Sequence, residues 1–322
     1  MKRMMAVYIS LILVICLVAC STSMQATETQ TPPSNSAHAS QSSTPAKPPE
    51  SVPSTPYLVY SPYVVSVTVR DYLGDDYELY CKMIDSVINY DGCVSGFESE
   101  QHFRRLWGVL LSEFYPAQKI CANYGTSDKP FVYKDGVVQM GFQLERDAHD
   151  LTLKAFADRI TADLSRVDAD DNDVEIIAKL YNHVSVTMQY GFGSGQMYDS
   201  IMNNKGVCGE YAAYLILLLD QAGIECYRAG SFGAGVDHAW VIAKMQGQYY
   251  HFDPTSEGYN CDWEWFALGD EIVHNAVVIT SPDDLQLHGA WDYATGTWFP
   301  PKVCPETFQQ DTRNSKTPPW SW

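Results

Sequence analysis

The feature that most constrains the fold of this chain is an apolar stripe that begins at a cysteine. After Cys208, small and apolar residues recur at spacings of three and four, the period of one helical face. These residues are Ala212, Leu215, Leu219 and Ala222. Gly223 follows directly, in the position where many helices end. The pattern predicts a buried helix with Cys208 in its first turn.

The position of Cys208 has two interpretations. In a first turn, backbone N–H groups without intrahelical acceptors and the helix dipole favour an anion, so a thiolate is stabilised there. The same N–H groups, including that of Gly209, are candidates to hold a developing oxyanion, and Gly206 allows a sharp turn and close approach to a substrate. The alternative is that Cys208 is a small residue filling the core.

Two predicted strands, 235–242 and 249–253, supply candidate partners for the thiol. Residues 245–248 join them as a tight hairpin. If Met245 pairs with Gln248, then His238 and Asp253 are diagonal neighbours on one face of the sheet. Asp253 would then orient His238, and His238 would meet the thiol. The register is assumed, and a slip of one residue would separate the pair.

Each member of this trio also has a structural alternative. His238 is two residues from Trp240 and fits a packed strand histidine, and Asp253 precedes a proline that ends a strand. His251 is a weaker substitute base. A metal site built from Cys208, His238, His251 and Asp253 is a third alternative, but the sequence lacks the close Cys/His ligand pairs of structural zinc sites. We therefore predict neither a metal nor a cofactor.

Three short motifs resemble the transglutaminase-like superfamily of papain-like cysteine enzymes. They are Gly206-Val207-Cys208-Gly209-Glu210-Tyr211-Ala212, Asp237-His238-Ala239-Trp240-Val241 and Tyr250-His251-Phe252-Asp253-Pro254-Thr255. The resemblance covers roughly residues 172–257. It implies an α+β fold: a papain-like or transglutaminase-like core in which the helix bearing the nucleophile packs on an antiparallel sheet, preceded by an α+β N-terminal region.

The resemblance also implies roles for single residues. Cys208 becomes the nucleophile, His238 the base and Asp253 the residue that orients it. Tyr190 is a weaker candidate for a side chain near the oxyanion, and Gly209 and Trp240 are weak candidates for substrate contacts.

The expected reaction is cysteine-dependent acyl transfer on amide bonds of proteins or peptides, through a thioester. Hydrolysis is favoured over cross-linking, because Gly209 stands where the animal cross-linking enzymes usually have tryptophan and the chain has no EF-hand loop. The expected partner is a protein or peptide, with cell-wall peptide as one candidate. The alternative is a catalytically inactive surface module that binds a peptide or protein in the same cleft.

The first 20 residues predict the compartment. Lys2 and Arg3 precede an apolar run, and Leu17-Val18-Ala19-Cys20 resembles a bacterial lipobox. This predicts an extracytoplasmic lipoprotein whose only membrane attachment is a lipid on Cys20; a single transmembrane anchor is the alternative. The net charge of −18 argues against a nucleic-acid partner.

The remaining predictions concern domain organisation and local structure. Five segments are expected: a signal peptide at 1–20, a disordered Ser/Thr/Pro-rich linker at 21–56, an α+β region at 57–168, a transglutaminase-like domain at 169–290 and an extension at 291–322. Strands are predicted within 58–69, helices at 77–89, 98–114, 151–164 and 174–188, and a hairpin turning at 134–136. Cys81 and Cys93 are close in sequence and are the favoured disulfide; buried reduced thiols are the alternative for the other cysteines.

Overall fold

The computed structural model describes residues 57–122, 127–231, 238–256, 263–271, 273, 291–292, 297–298, 304 and 307–308. The predicted signal peptide, Cys20, the linker at 21–56 and most of the extension at 291–322 lie outside these residues. All described residues belong to one compact unit, Pro53–Trp322. Within them, no helix is both long and apolar enough to cross a membrane.

The N-terminal half is built from four helices and a three-stranded antiparallel sheet of order β1-β3-β2. The elements are α1 (Val67–Leu73), α2 (Tyr77–Ile88), β1 (Cys93–Ser95), α3 (Glu100–Glu113), α4 (Pro116–Ile120), β2 (Phe131–Lys134) and β3 (Val137–Met140). One continuous hydrophobic core joins them, with Phe103, Leu106 and Leu110 of α3 fully buried. Their spacing of three and four is the amphipathic pattern expected for this helix.

Local turn chemistry fixes the β2–β3 hairpin as predicted. Lys134 pairs with Val137, and Asp135 and Gly136 between them both adopt positive φ, at 49° and 80°. Two consecutive positive φ angles define the turn that matches the twist of a two-residue hairpin.

The predicted strands within 58–69 are wrong. Residues 58–66 form no strand, and α1 begins at Val67. Ser66 caps this helix, because its side chain accepts a hydrogen bond from the N–H of Val69. The β-branched residues suggested a sheet, but Val64 and Val67 are exposed, so no sheet face buries them.

The expected Cys81–Cys93 disulfide is also absent, since both cysteines are free. Cys81 lies about two turns before the end of α2, whereas Cys93 opens β1 just after that helix has ended. Seven residues of helix separate Cys81 from Ile88, a rise of about 10 Å. A disulfide needs Cα atoms within about 7 Å of each other.

The second half packs helices against an antiparallel sheet of order β6-β7-β8. The elements are α5 (Arg146–Leu164), α6 (Asp173–Thr187), β4 (Gln189–Tyr190), α7 (Met197–Asn203), β5 (Lys205–Gly206), α8 (Cys208–Gln221), β6 (Cys226–Ser231), β7 (His238–Met245) and β8 (Gln248–Phe252), with two short strands, β9 (Trp291–Asp292) and β10 (Thr297–Trp298), further on. Helix α8 contacts α6, β6 and β7. The α+β class predicted from the sequence is confirmed.

The core of this half extends further towards the N-terminus than the predicted boundary at 168/169. Helix α5 contributes Phe156, Ile160 and Leu164 to the same hydrophobic core as α8. Asn172 caps α6, with its side chain accepting from the N–H groups of Val174 and Glu175. The five-segment organisation stays a prediction.

Candidate active site

Cys208 is the first residue of α8, and two features explain why the helix begins there: a hydrogen bond from the N–H of Val207 to Glu210, and a buried apolar stripe. The carboxylate of Glu210 accepts a hydrogen bond from the N–H of Val207, at 3.0 Å, which satisfies one backbone donor at the helix start. Ala212, Leu215 and Leu219 are fully buried, so the predicted stripe does anchor the helix in the core. The Cys208 thiol is left half-buried at the positive end of the helix.

Gly206 is required for space rather than for an unusual backbone angle. A Cβ placed on it would lie 2.6 Å from the Cβ of Glu210, closer than real Cβ atoms come to a neighbour. The sequence argument assigned this glycine to a sharp turn, but its φ is not positive. Its role is to let β5 approach the first turn of α8.

The β7–β8 hairpin has the predicted register. Met245 pairs with Gln248 and Val241 with Phe252, so the strands continue towards His238 and Asp253 at their open end. Gln246 and Gly247 form the turn with positive φ of 51° and 80°. Residues 235–237, predicted as the start of this strand, lie outside the described residues.

The structure brings His238 and Asp253 together and places Cys208 beside them. The Nε2 of His238 lies 2.7 Å from Oδ2 of Asp253. The imidazole lies close enough to the Cys208 thiol for each group to shift the pKa of the other. Because Asp253 engages Nε2, Nδ1 is the ring nitrogen left for the sulfur. The order Cys208–His238–Asp253 is the arrangement in which an orienting carboxylate fixes a base against a nucleophile.

Asp253 is held by more than His238. Its Oδ1 accepts from the N–H of Thr255 at 3.1 Å, and its Oδ2 accepts from the hydroxyl of Ser256 at 2.6 Å. Sequence reasoning missed Ser256. The sequence does contain a signal for this turn, because an aspartate side chain commonly accepts a hydrogen bond from the backbone two residues further on, here at Thr255. These bonds hold the carboxylate in place before it meets the imidazole.

The electrostatics favour an ion pair between Cys208 and His238. Burial raises the pKa of the Cys208 thiol, but its hydrogen bond to His238, the imidazolium charge and a backbone hydrogen bond from Ala239 outweigh this, so the pKa is lowered. Burial lowers the pKa of His238, but Asp253 and Cys208 together raise it to about 10. Both shifts favour the state in which the imidazole holds the proton and the sulfur is a thiolate.

Trp240 is buried and packs against the imidazole of His238. The residue is 2% exposed, its ring stacks on that of His238 with centroids 5.8 Å apart, and its indole N–H donates to Nδ1 of His251 at 2.8 Å. The suggestion that Trp240 contacts a substrate stays a prediction. In the structure, Trp240 packs against the imidazole and helps to fix its plane.

His251 does not have the geometry of a substitute base or of a metal ligand shared with Cys208. It is 1% exposed, and its Nε2 lies 2.9 Å from Oδ1 of Asp270. Because Trp240 donates to Nδ1, the proton of the neutral ring lies on Nε2 and is donated to Asp270. Both nitrogens are thus engaged away from Cys208, which excludes the substitute-base interpretation and the metal site that combined His251 with Cys208.

A different group of possible metal ligands surrounds His251. Ligand atoms of His251, Asp270 and Cys304 lie within 4.8 Å of one another. Three ligands of this kind suit a tetrahedral ion, but the imidazole nitrogens are already hydrogen-bonded and no fourth ligand is found among the described residues. We assign no metal to this group.

The weaker site candidates lie on the flanks of Cys208. Tyr190 pairs with Gly206 through the short β4–β5 ladder and is 64% exposed, with its ring 6.4 Å from that of Tyr211. The N–H of Gly209 lies in the first turn of α8, where no intrahelical acceptor exists. The roles of Tyr190 and Gly209 near the oxyanion stay predictions. The loop 191–195 is irregular.

Comparison with known proteins identifies the domain that carries these residues. Residues 154–254 match the family model of the transglutaminase-like superfamily. The chain carries a transglutaminase-like domain. The resemblance seen in the sequence motifs is thereby confirmed, and the match begins within α5. A search of curated proteins finds no match.

Solved structures give distant similarities that cover less than half of this chain. A candidate cysteine protease from Cytophaga hutchinsonii is 18% identical, with a TM-score of 0.26, and the alignment covers 35% of this chain and 43% of that protein. A TGase is 9% identical, with a TM-score of 0.28, covering 39% and 43%. The periplasmic domain of TgpA from Pseudomonas aeruginosa, bound to ethylmercury, is 16% identical, with a TM-score of 0.26, covering 41% and 69%. The family assignment rests on the family model.

Proposed function

We propose that this protein is a cysteine-dependent enzyme that transfers the acyl group of a protein or peptide amide through a thioester, with water as the usual acceptor. The observation that carries the proposal is the position of His238, whose Nε2 lies 2.7 Å from Asp253 and whose imidazole shifts the pKa of the Cys208 thiol. A histidine that only packed in a strand would not need both partners. The raised pKa of His238 and the lowered pKa of Cys208 support the same assignment.

The proposed reaction begins with the Cys208 thiolate attacking the carbonyl carbon of the amide. The electron pair of the C=O bond moves onto oxygen, near the N–H groups of the first turn of α8, including Gly209. The imidazolium of His238 then donates its proton to the departing amine, and a thioester remains on Cys208. His238, now neutral, removes a proton from water as the water attacks the thioester, and the thiolate and imidazolium are restored.

Asp253 has an electrostatic and a positioning role in this scheme. Its carboxylate stabilises the imidazolium and fixes the ring orientation through Nε2, so that Nδ1 stays directed at the sulfur. Tyr190 is proposed only as a rim residue near the oxyanion. No step requires a cofactor.

The proposed location is outside the cytoplasm, with the chain attached to a membrane through a lipid on Cys20. The linker at 21–56 would hold residues 57–168 and the transglutaminase-like domain 169–290 away from that membrane, because proline-rich segments are extended. Such an enzyme would meet proteins or cell-wall peptides as substrates.

Incubation with a mixed peptide pool in ¹⁸O-labelled water, with methylamine present, tests the proposal. A hydrolase adds ¹⁸O to new carboxyl termini or to deamidated side chains, whereas a cross-linking enzyme attaches methylamine. Both products should vanish in Cys208→Ala. If the wild-type protein gives neither product but retains peptides on an affinity column, the inactive binding module becomes the better account.

A further inference from the structure

A cation lies against Gly209, the residue that follows the nucleophile. An ideal Cβ added to Gly209 would lie 2.9 Å from an Nη atom of Arg228, so the guanidinium covers the residue that follows Cys208. Residues advance about 100° per position around a helix. Gly209 therefore lies on one flank of Cys208, and Tyr211, which contacts Tyr190, lies on the other.

The strand register explains why Arg228 reaches this place. Arg228 lies on β6 and pairs with Val241 of β7. Directly opposite residues in an antiparallel pair project from the same face of the sheet. Val241 is buried in the core shared with α8, so Arg228 projects towards the same helix. Its side chain is exposed at the sheet edge and lies against the first turn of α8.

No hydrogen bond or ion pair holds the guanidinium in the described part of the chain. The nearest acidic residue along α8, Glu210, instead binds the N–H of Val207. An unpaired cation at the positive end of a helix is electrostatically unfavourable, and a bound anion relieves this. The feature is local, because the chain as a whole carries a net charge of −18.

We propose that Arg228 is a specificity-determining residue that binds a carboxylate of the substrate beside the amide attacked by Cys208, so that the enzyme acts on acidic peptides. A guanidinium offers two parallel N–H donors to a carboxylate, a geometry that lysine and glutamine cannot reproduce. Gly209 is the matching residue, because any side chain there would occupy the place of the guanidinium. The inference rests on the proposed function.

Two alkylating reagents that differ only in a carboxylate provide the test. In both reactions, the Cys208 sulfur attacks the CH₂ carbon, a C–S bond forms, and iodide leaves with the electrons of the C–I bond. Iodoacetate carries a carboxylate next to that carbon, and iodoacetamide carries a neutral amide. The imidazolium of His238 attracts the anion in every variant, so the informative quantity is the change in the iodoacetate-to-iodoacetamide rate ratio on mutation of Arg228.

Rates of Cys208 labelling would be measured on the full chain by peptide mass spectrometry. We expect Arg228→Gln to lower the rate ratio by about five- to tenfold, the size of one partly exposed charge-assisted hydrogen bond, whereas any change in the reactivity of the thiolate itself affects both rates and cancels in the ratio. Arg228→Lys should recover only part of the ratio. Arg104→Gln removes the same charge from the exposed face of α3 and should leave the ratio at the wild-type value.

The outcomes separate this inference from the proposed function. If iodoacetamide labels Cys208 fast but the ratio is the same in wild type, Arg228→Gln and Arg104→Gln, the carboxylate site is wrong and the activated thiol stands. If Arg104→Gln lowers the ratio as much as Arg228→Gln, the effect is one of net charge and the inference also fails. If both reagents label Cys208 no faster than an ordinary thiol, the proposed function itself fails, and the inference falls with it.

Discussion

Two histidine–aspartate pairs in this molecule have almost the same local geometry and different surroundings. The Nε2 of His183 lies 2.8 Å from Asp163, and the Nε2 of His238 lies 2.7 Å from Asp253. The first pair is closed on all sides, with the His183 side chain 4% exposed, while the His238 side chain is 20% exposed. Geometry within the pair therefore does not distinguish a structural pair from a candidate catalytic one.

The partners of the second ring nitrogen do distinguish them. The Nδ1 of His183 lies 3.1 Å from the hydroxyl of Thr187, one turn further along α6. Both nitrogens of this ring therefore have partners inside the protein. Asp163 also receives hydrogen bonds from Arg159 and from the hydroxyl of Tyr214. This network ties α5, α6 and α8 together beneath the site. In the other pair, the second nitrogen faces a thiol at the surface.

The largest expected effect is on the buried pair. Asp163→Ala should lower the free energy of unfolding by about 3–5 kcal/mol, because it leaves a buried imidazole and a partly buried guanidinium without their anion. Urea unfolding followed by circular dichroism measures this loss. Asp158→Ala removes an exposed carboxylate that pairs with Lys154 on the same helix, and it should cause no measurable change. Equal losses in the two variants would show that the buried network contributes nothing special.

The pH dependence of stability sharpens the same contrast. Burial raises the pKa of Asp163, but His183, Tyr214 and Arg159 outweigh this and lower it. A carboxylate with a lowered pKa contributes its stability above its unfolded pKa of about 3.9, and the contribution is lost as the pH falls below that value. Unfolding free energies should therefore decrease from about pH 5 to pH 3 in the wild type and less steeply in Asp163→Ala. If the unfolding free energies of the wild type and of Asp163→Ala fell equally steeply with pH, Asp163 would not be the ionised partner of this network.

Asp253→Asn is the matching change in the exposed pair and should act on reactivity more than on stability. The asparagine keeps the shape of the side chain and an acceptor for the N–H of Thr255, but it removes the charge that supports the His238 imidazolium. We expect Cys208 alkylation by iodoacetamide at pH 6 to slow by about tenfold or more, which is one unit of thiol pKa. An unchanged rate would mean that Asp253 only packs.

The smallest expected effect comes from the residue behind the site. Trp240→Phe keeps an aromatic ring against His238 but removes the donor to His251, a loss of about 1–2 kcal/mol for a buried hydrogen bond. Alkylation at pH 6 should slow by no more than severalfold. Trp107→Phe, in the core of the N-terminal half, is the control and should leave alkylation unchanged. If both variants slow alkylation alike, the effect is general destabilisation.

The same contrast shows what the sequence can predict. Cys208, His238 and Asp253 could be predicted because each lies in a regular element or directly after one, so that period and turn fix its direction. The stripe after Cys208 sets the helix, and the two-residue turn at Gln246–Gly247 sets the strand register. The pair His183–Asp163 could not be predicted, because the residues lie on two helices whose contact depends on packing across the core.

Other differences have the same physical origin. The β-branched residues around Val64 favour strands locally, but the cap at Ser66 and the lack of a sheet to bury them gave a helix instead. His251 and Trp240 lie on the predicted strands, yet their roles depend on Asp270, which a later segment brings to the sheet. Arg228 carries no motif, and its position beside Gly209 follows only from the packing of β6 on α8.

The most direct test of the central claim is the pH profile of Cys208 alkylation by limiting iodoacetamide, between about pH 5 and 9, in the wild type and in His238→Ala and His238→Gln. A lowered thiol pKa means that the thiolate persists as the pH falls, so wild-type labelling should stay fast well below the ordinary thiol pKa of about 8.5. At pH 6 the histidine variants should label about a hundredfold more slowly, because an ordinary thiol is almost fully protonated there. If the wild-type protein follows the profile of an ordinary thiol, or if the histidine variants match it at every pH, the activated Cys208–His238 pair does not exist.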